Sequence, residues 1–142
     1  MSNFGERLSE LIYEQNMDKK TFANTVGIDA TCISHYILGK HAPTVEHLIK
    51  LADYFNCSTD FLLGREDELH KLTFKKCPPF SEQLLFLKQT FNCKPNEIYD
   101  DTELAKTSYY NWLSGKQPTL DNIIRLANLF DCRVDFVLGR ES

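Results

Sequence analysis

The amino-acid sequence repeats itself at an offset of 75 or 76 residues, and this internal repeat limits the possible folds more than any other feature. The segment VEHLIKLADYFNCSTDFLLGRE at residues 45–66 returns as LDNIIRLANLFDCRVDFVLGRE at residues 120–141. Further upstream, HYILGKHAPT at residues 35–44 matches NWLSGKQPT at residues 111–119, with one residue fewer in the second copy. A repeat of this length at a fixed period indicates a structural unit that occurs twice. We therefore expect two homologous domains.

A charged segment with two consecutive prolines separates the copies. Its sequence is DELHKLTFKKCPPF, and the prolines are Pro78 and Pro79. Proline is tolerated in the first turn of a helix but not in its interior, so the second unit should begin directly after this pair. We predict a first domain at residues 1–66, a linker at residues 67–79 and a second domain at residues 80–142.

Each copy has the periodicity of short amphipathic helices. Phe4, Leu8 and Leu11 are spaced as i, i+4 and i+7, which is the apolar stripe of a helix, and the stripe recurs in the second copy. Capping residues and glycines divide each copy into five short helices. The predicted fold class is all-α, with two tandem five-helix domains joined by a short linker.

A glycine turn separates the second and third helices of the first copy. Asp18 and Asp29 are suited to begin these helices, because an aspartate side chain accepts hydrogen bonds from the free amides of a first turn. Gly27 lies between the two helices, and Gly39 follows the third, as glycine does where the backbone becomes left-handed. This order predicts a helix-turn-helix layout.

Composition and motifs exclude several functional classes. No stretch approaches about 18 uninterrupted apolar residues and the N-terminus is charged, so we expect no membrane span, no signal peptide and a cytoplasmic protein. Five cysteines form no CxxC pair and no zinc-ligand spacing, which predicts free thiols and no metal site. No Ser-His-Asp set, glycine-rich phosphate loop or apolar carboxylate pair occurs. We therefore expect no enzyme, no catalytic residues, no cofactor and no small-molecule substrate.

Charge is distributed unevenly along the chain. The formal net charge of −4 argues against a protein that binds nucleic acid through bulk positive charge. Between Glu103 and Asp121, however, the only charged side chains are Lys106 and Lys116. The corresponding window of the first copy contains Lys40 and two histidines. Each copy thus has one locally basic window.

Two motifs carry a resemblance to a known family. They are KTFANTVGIDATCISHYILGK-x-x-P in the first copy and ELAKTSYYNWLSGK-x-P in the second, each followed by a fourth helix and a closing xDFxLGR. With these motifs the chain resembles the phage-repressor type of helix-turn-helix protein, the Cro or XRE family, over roughly residues 3–66 and 80–141. The resemblance implies five-helix units that lay their third helix in the major groove of double-stranded DNA.

The resemblance also implies which residues contact DNA. The groove-facing positions are Ala30, Thr31, Ser34 and His35 in the first copy, and Lys106, Thr107, Tyr110 and Asn111 in the second. Phosphate contacts are expected at Lys19, Lys40 and Lys116. Asparagine can pair with adenine through two hydrogen bonds, and lysine can donate to guanine. Asn111 and Lys106 are therefore the strongest candidates for base recognition.

Three aromatic residues near the end of the second copy raise the question of base stacking. In the repeat, Tyr109 aligns with Ile33 and Trp112 aligns with Tyr36, which lie on the inward side of the third helix. We therefore predict that Tyr109 and Trp112 pack in the core and that Tyr110 is exposed.

The sequence predicts a sequence-specific transcriptional regulator, most simply a repressor, and leaves its assembly open. One chain can act as a built-in pseudo-dimer on an asymmetric site, or one copy can bind DNA while the other forms a homodimer. The second copy departs from the family pattern at Tyr99, where a small residue is usual, and at Glu103, where the turn glycine is usual. The alternative is a protein-interaction adaptor, antirepressor-like or antitoxin-like, in which one or both copies have lost DNA binding.

Overall fold

The computed structural model describes residues 3–67, 74–101 and 106–141 of the chain. Within these ranges all regular secondary structure is α-helical, as the sequence predicted. The chain divides into two compact units, Met1–Leu72 and Thr73–Ser142. Each unit has its own buried apolar core.

The described part of the first unit contains five helices, each begun by a capping side chain. The helices are α1 (Phe4–Glu14), α2 (Lys19–Val26), α3 (Ala30–Ile37), α4 (Val45–Phe55) and α5 (Thr59–Leu62). Their caps are Asn3, Asp18, Asp29, Thr44 and Ser58. Each cap side chain accepts a hydrogen bond from an amide of the first turn, which stabilises the start of the helix.

The turn between α2 and α3 has the geometry that the sequence predicted. Asp18 caps α2 by accepting a 2.7 Å bond from the amide of Thr21. Asp29 caps α3 by accepting a 2.8 Å bond from the amide of Thr31. Between them Gly27 has a φ of 76°. This left-handed conformation causes little strain in glycine, because glycine has no Cβ atom. Both predicted caps and the glycine turn are confirmed.

The core of the first unit is built from the inward faces of these helices. Its fully buried side chains include Leu8, Phe22, Ile33, Leu48, Leu51 and Leu62. Burial of one such side chain contributes about 1.5–3 kcal/mol, so this apolar cluster is the main force that holds the short helices together. Because α3 contributes to it, the core also fixes the outward face of α3.

The described part of the second unit also contains five helices. They are α6 (Phe80–Thr90), α7 (Pro95–Asp101), α8 (Lys106–Leu113), α9 (Leu120–Phe130) and α10 (Val134–Leu138). Its core includes Leu84, Leu87, Ile98, Tyr109, Ile123 and Leu126. Residues 102–105 lie outside the described residues, and with them the altered turn expected at Glu103.

Left-handed backbone conformations occur at corresponding positions of the two units. Asn56 ends α4 with a φ of 52°, and Asp131 ends α9 with a φ of 51°. Gly39 follows α3 with a φ of 74°, and Gly115 follows α8 with a φ of 112°. Asparagine and aspartate tolerate this region better than other residues with side chains. Thus α4 and α9 each end in a left-handed residue, and α3 and α8 are each followed by a left-handed glycine.

The segment before α6 contacts the end of the second unit. The amide of Lys75 donates a 2.8 Å hydrogen bond to the carbonyl oxygen of Arg140. The Arg140 guanidinium lies 4.3 Å from the centre of the Phe74 ring and forms a buried ion pair with Asp135. Residues 68–73 of the expected linker lie outside the described residues.

Candidate nucleic-acid interface

Helix α3 has one buried face and one solvent-facing face. Ile33 is fully buried and Tyr36 is nearly so. On the other side lie the four residues expected to face the groove. Ala30 and Thr31 are exposed, and Ser34 and His35 are half-buried. The fold therefore presents the four residues together on the accessible side of a helix whose inner side is anchored in the core.

Helix α1 approaches the C-terminal end of α3 very closely. A Cβ atom at Gly5 would lie 2.6 Å from the carbonyl oxygen of Tyr36 and 2.8 Å from that of Ile37. Both distances are shorter than van der Waals contact, so this crossing requires glycine at position 5. Sequence reasoning missed Gly5, because only the tertiary structure brings the backbone of α3 next to it.

Tyr36 connects α3 to α1 and α4. Its ring meets the ring of Phe4 edge to face at 5.7 Å between centroids. Its hydroxyl oxygen lies 2.6 Å from Nδ1 of His47 on α4. Burial raises the pKa of the Tyr36 hydroxyl above its ordinary value of 10.0, which keeps the phenol protonated. These contacts hold α3 in place from the inside and leave its outer face free.

Cationic and imidazole side chains flank the outer face of α3. Lys19 is exposed at the first position of α2, and Lys40 is exposed just after α3. The amide of Lys40 donates a 2.9 Å bond to the carbonyl oxygen of His35, which closes the end of the helix. The rings of His35 and His41 meet edge to face at 4.9 Å. The pairing with His41 was not predicted, although the basic window that contains both histidines was.

Helix α8 of the second unit has the same division into two faces. Tyr109 is fully buried and Trp112 is 3% exposed, whereas Tyr110 is 49% exposed. The prediction that two of the three aromatics are core residues is confirmed. Lys106 and Thr107 are exposed. Three of the four candidate groove-facing side chains of this unit therefore point into solvent.

Asn111 is the fourth candidate and lies half-buried near the end of α8. Its carbonyl oxygen accepts a 2.9 Å bond from the hydroxyl of Ser114 and another of 2.9 Å from the amide of Lys116. These bonds involve the Asn111 backbone, so its side-chain amide is not needed to close the helix. Lys116 itself is exposed.

Two further classes of site are absent from residues 3–67, 74–101 and 106–141. No group of three or more histidine, cysteine, aspartate or glutamate side chains is placed to hold a metal ion there. No helix in these ranges has the length and apolar character needed to cross a membrane. Of the five cysteines, Cys57 is buried and the other four are half-buried.

Comparison with known proteins places this architecture in a family. Residues 9–62 match the family model described as helix-turn-helix. The chain is 33% identical over 82 residues to the cryptic phage CTXphi transcriptional repressor RstR of Vibrio cholerae, an alignment that covers 55% of this chain and 73% of that protein. The chain belongs to the helix-turn-helix family of the Cro/XRE type. It is a DNA-binding transcriptional regulator.

Two further relatives are regulators of Bacillus subtilis. The HTH-type transcriptional regulator ImmR is 31% identical over 102 residues, which cover 72% of each protein. The HTH-type transcriptional regulator AnsR is 36% identical over 63 residues, which cover 44% of this chain and 54% of that protein. No solved structure gives a significant match.

The family match lies within the first unit. Residues 9–62 include most of α1 and all of α2 to α5, and therefore Lys19, Lys40 and the outer face of α3. The second unit lies outside the residues that the family model matches.

Proposed function

We propose that this regulator acts as a repressor that places α3 in the major groove of double-stranded DNA. The observation that carries the proposal is the arrangement of α3, whose inner side is locked into the core while Ala30, Thr31, Ser34 and His35 share its accessible side. A major groove about 12 Å wide admits one helix, and a helix-turn-helix presents its second helix there. The similarity to a protein named as a phage transcriptional repressor supports repression rather than activation.

Phosphate contacts are assigned to the lysines around α3. Lys19 lies at the start of α2 and Lys40 lies at the end of α3, so the two residues flank the reading helix from different elements. A chain with a formal charge of −4 requires such local placement, since its bulk charge repels DNA. Contacts of this kind fix the position and orientation of the protein without reading sequence.

We further propose that the second unit is a second helix-turn-helix domain and that α8 is its reading helix. Support comes from helices of matching bounds, from left-handed residues at corresponding helix ends, and from Tyr109 and Trp112, which are buried where the repeat aligns them with Ile33 and Tyr36. Lys116 takes the role of Lys40 in this unit. The domain limits proposed with it are residues 1–66 and 80–142.

The chemistry of α8 favours base recognition. Lys106, Thr107 and Tyr110 are exposed, and the side-chain amide of Asn111 is not used to close its own helix. An asparagine amide can donate to and accept from adenine, and a lysine can donate to guanine. With two reading helices in one chain, we propose a bipartite recognition site.

Selection of bound duplexes from random DNA tests this function. The full chain should enrich a motif with two separate conserved segments. A variant with Thr31, Ser34 and His35 replaced by alanine should lose one segment, and a variant with Thr107, Tyr110 and Asn111 replaced by alanine should lose the other. Circular dichroism of both variants controls for folding.

Other outcomes would redirect the proposal. If both variants enrich the same motif as the wild-type chain, neither helix reads DNA. If the wild-type chain binds no duplex even at low salt, where phosphate contacts are strongest, the protein is an interaction adaptor.

A further inference from the structure

Helix α6 leaves two large apolar side chains in solvent. Leu85 is 49% exposed and Phe86 is 47% exposed, while Leu84 and Leu87 of the same helix are fully buried. Contiguous exposed apolar residues on a soluble protein often mark an interaction surface.

The exposed pair continues into a row of aromatic rings. The ring of Phe86 lies 5.9 Å from that of Phe136, which lies 6.0 Å from that of Phe91. Phe91 is stacked on Phe130 at 4.5 Å, with only 6° between the ring planes. Phe91, Phe130 and Phe136 are each partly exposed. We call Leu85, Phe86, Phe91, Phe130 and Phe136 the aromatic face.

The first unit shows that the fold does not need apolar side chains at three of the five positions of the aromatic face, although it keeps Phe55 and Phe61 where the second unit has Phe130 and Phe136. At the positions that the repeat aligns with Leu85 and Phe86, the first unit has Ser9 and Glu10, and both are exposed. It also has an exposed Gln15 where the second unit has Phe91. A five-helix unit of this kind therefore folds with polar side chains at these positions, and the apolar residues of the second unit require another explanation.

We propose that the aromatic face is a homodimer interface, occupied by the same face of a second copy of this chain. Two exposed polar residues of α6 are spaced symmetrically about this pair: Glu82 lies three residues before Leu85, and Gln89 lies three residues after Phe86. Two α6 helices that cross antiparallel about a two-fold axis at Leu85 and Phe86 bring Glu82 of each copy to Gln89 of the other. The carboxylate of Glu82 then accepts a hydrogen bond from the Gln89 amide. This self-complementarity is what an isologous contact requires.

The size of the aromatic face fits the apolar centre of a dimer interface, not the whole of it. A phenylalanine buries about 150–250 Å² when it is fully covered, so the two half-exposed and three partly exposed residues offer on the order of 300–400 Å² per copy. A standard interface buries about 800 Å² per partner, and its core is about 65% apolar. The aromatic face thus supplies much of the apolar centre and leaves the polar rim to its neighbours. We expect a dissociation constant in the micromolar range.

The dimer interface itself does not depend on the proposed function, but its effect on DNA recognition rests on that function. A dimer formed through the second unit doubles the number of reading helices on one DNA molecule, so it deepens the bipartite recognition proposed above.

Sedimentation equilibrium of the full chain tests the interface. The wild-type protein should shift from monomer to dimer between low micromolar and several hundred micromolar concentration. The double variant Leu85→Ser and Phe86→Glu installs the residues that the first unit has at the aligned positions. It should raise the dissociation constant about 100-fold, since central apolar anchors dominate small interfaces. Its thermal unfolding should remain close to that of the wild-type protein.

A matched control is Tyr13→Ser, which removes an aromatic side chain that is 83% exposed in the first unit. It should leave the dissociation constant unchanged. A wild-type chain that stays monomeric at every concentration, or a double variant that dimerises as tightly as the wild-type protein, would overturn the inference.

A DNA measurement separates this inference from the proposed function. The monomeric double variant should still bind a single selected site, with lower affinity than the wild-type dimer. If the chain dimerises through the aromatic face but binds no DNA, the interface stands and the proposed function fails. If the chain binds DNA but stays monomeric at all concentrations, the proposed function stands and the dimer interface fails.

Discussion

Arg7 donates a hydrogen bond from Nη1 to the carbonyl oxygen of Phe61 at 2.9 Å, and its guanidinium lies 4.0 Å from the centre of the Phe61 ring. This buried arginine joins α1 to α5 and so closes the first unit. In the second unit the aligned residue is Gln83, whose Nε2 donates a 2.9 Å bond to the carbonyl oxygen of Phe136. A charged and a neutral side chain therefore form the same closing bond in the two units.

Replacement of Arg7 by alanine should destabilise the first unit by about 2–3 kcal/mol, because it removes a charge-assisted hydrogen bond and a cation–π contact and leaves the carbonyl of Phe61 without this donor. Arg7→Gln is the matched variant, since it installs the donor that the second unit uses. Arg7→Gln should lower the free energy of unfolding by less than half as much as Arg7→Ala does. Urea denaturation of the full chain, followed by circular dichroism, measures both, and equal losses would contradict the role of the closing bond.

Gly5→Ala should destabilise the first unit by about 1–3 kcal/mol, the usual cost of forcing an extra carbon into a packed site. The new Cβ would lie 2.6 Å and 2.8 Å from backbone oxygens of α3, and backbone cannot move aside as a flexible side chain can. Because α1 supports α3, the same variant should bind DNA less tightly. The control is Ser81→Ala at the aligned position of the second unit, which should change the unfolding free energy by less than about 0.5 kcal/mol.

The local features of the fold were predictable from the sequence because they depend on neighbouring residues. Asp18 and Asp29 are caps whose partners lie two or three residues away, and Gly27 occupies a turn that its own backbone freedom allows. The inward positions of Tyr109 and Trp112 followed from their alignment with Ile33 and Tyr36. Such features need only helical periodicity and the chemistry of short contacts.

The long-range features were not predictable in this way. Arg7 finds its acceptor 54 residues along the chain, so its burial depends on how α1 packs against α5. The need for glycine at position 5 depends on the crossing of α1 and α3. In α6 the run LLFL is apolar at four successive positions, so its composition does not reveal that Leu85 and Phe86 face solvent. Each of these requires the tertiary structure.

The two units should respond alike to loss of a core leucine. Leu51 in α4 and Leu126 in α9 are both fully buried and occupy aligned positions. Leu51→Ala and Leu126→Ala should each cost about 2–5 kcal/mol, the sum of lost transfer free energy and the cavity left behind. Native-state hydrogen exchange assigns each loss to a unit: the first variant should speed exchange in residues 3–67, and the second in residues 74–101 and 106–141. Uniform acceleration throughout the chain by either variant would show that the units unfold together.

The cap of α2 should weaken in acid. The hydrogen bond from the Thr21 amide lowers the pKa of Asp18 below its ordinary value of 3.8. Because the folded-state pKa is the lower one, the stabilisation is fully present above about pH 4 and is lost as the pH falls through the folded value. An NMR titration of the Asp18 carboxyl should therefore give a midpoint below 3.8. Asp18→Asn keeps an oxygen acceptor without the charge, so its unfolding free energy should lose less on acidification than that of the wild-type protein.

Asn111→Ala and Lys40→Ala should affect DNA binding in different ways. Loss of the Asn111 amide should cost about 1–3 kcal/mol on a selected site and relax the preference at one base pair, because it removes the base contact that we propose for this residue. Loss of the Lys40 ammonium should weaken binding to all sequences and reduce the slope of log K against log salt by about 0.9, because it removes the phosphate contact that we propose for this residue. Fluorescence anisotropy on the selected site and on a scrambled duplex, at several salt concentrations, separates the two effects. Gln15→Ala, an exposed change at the end of α1, should leave the DNA-binding free energy and its salt dependence unchanged. If Asn111→Ala weakens both duplexes equally, its side chain contacts the DNA backbone rather than a base, and α8 does not read sequence at that position.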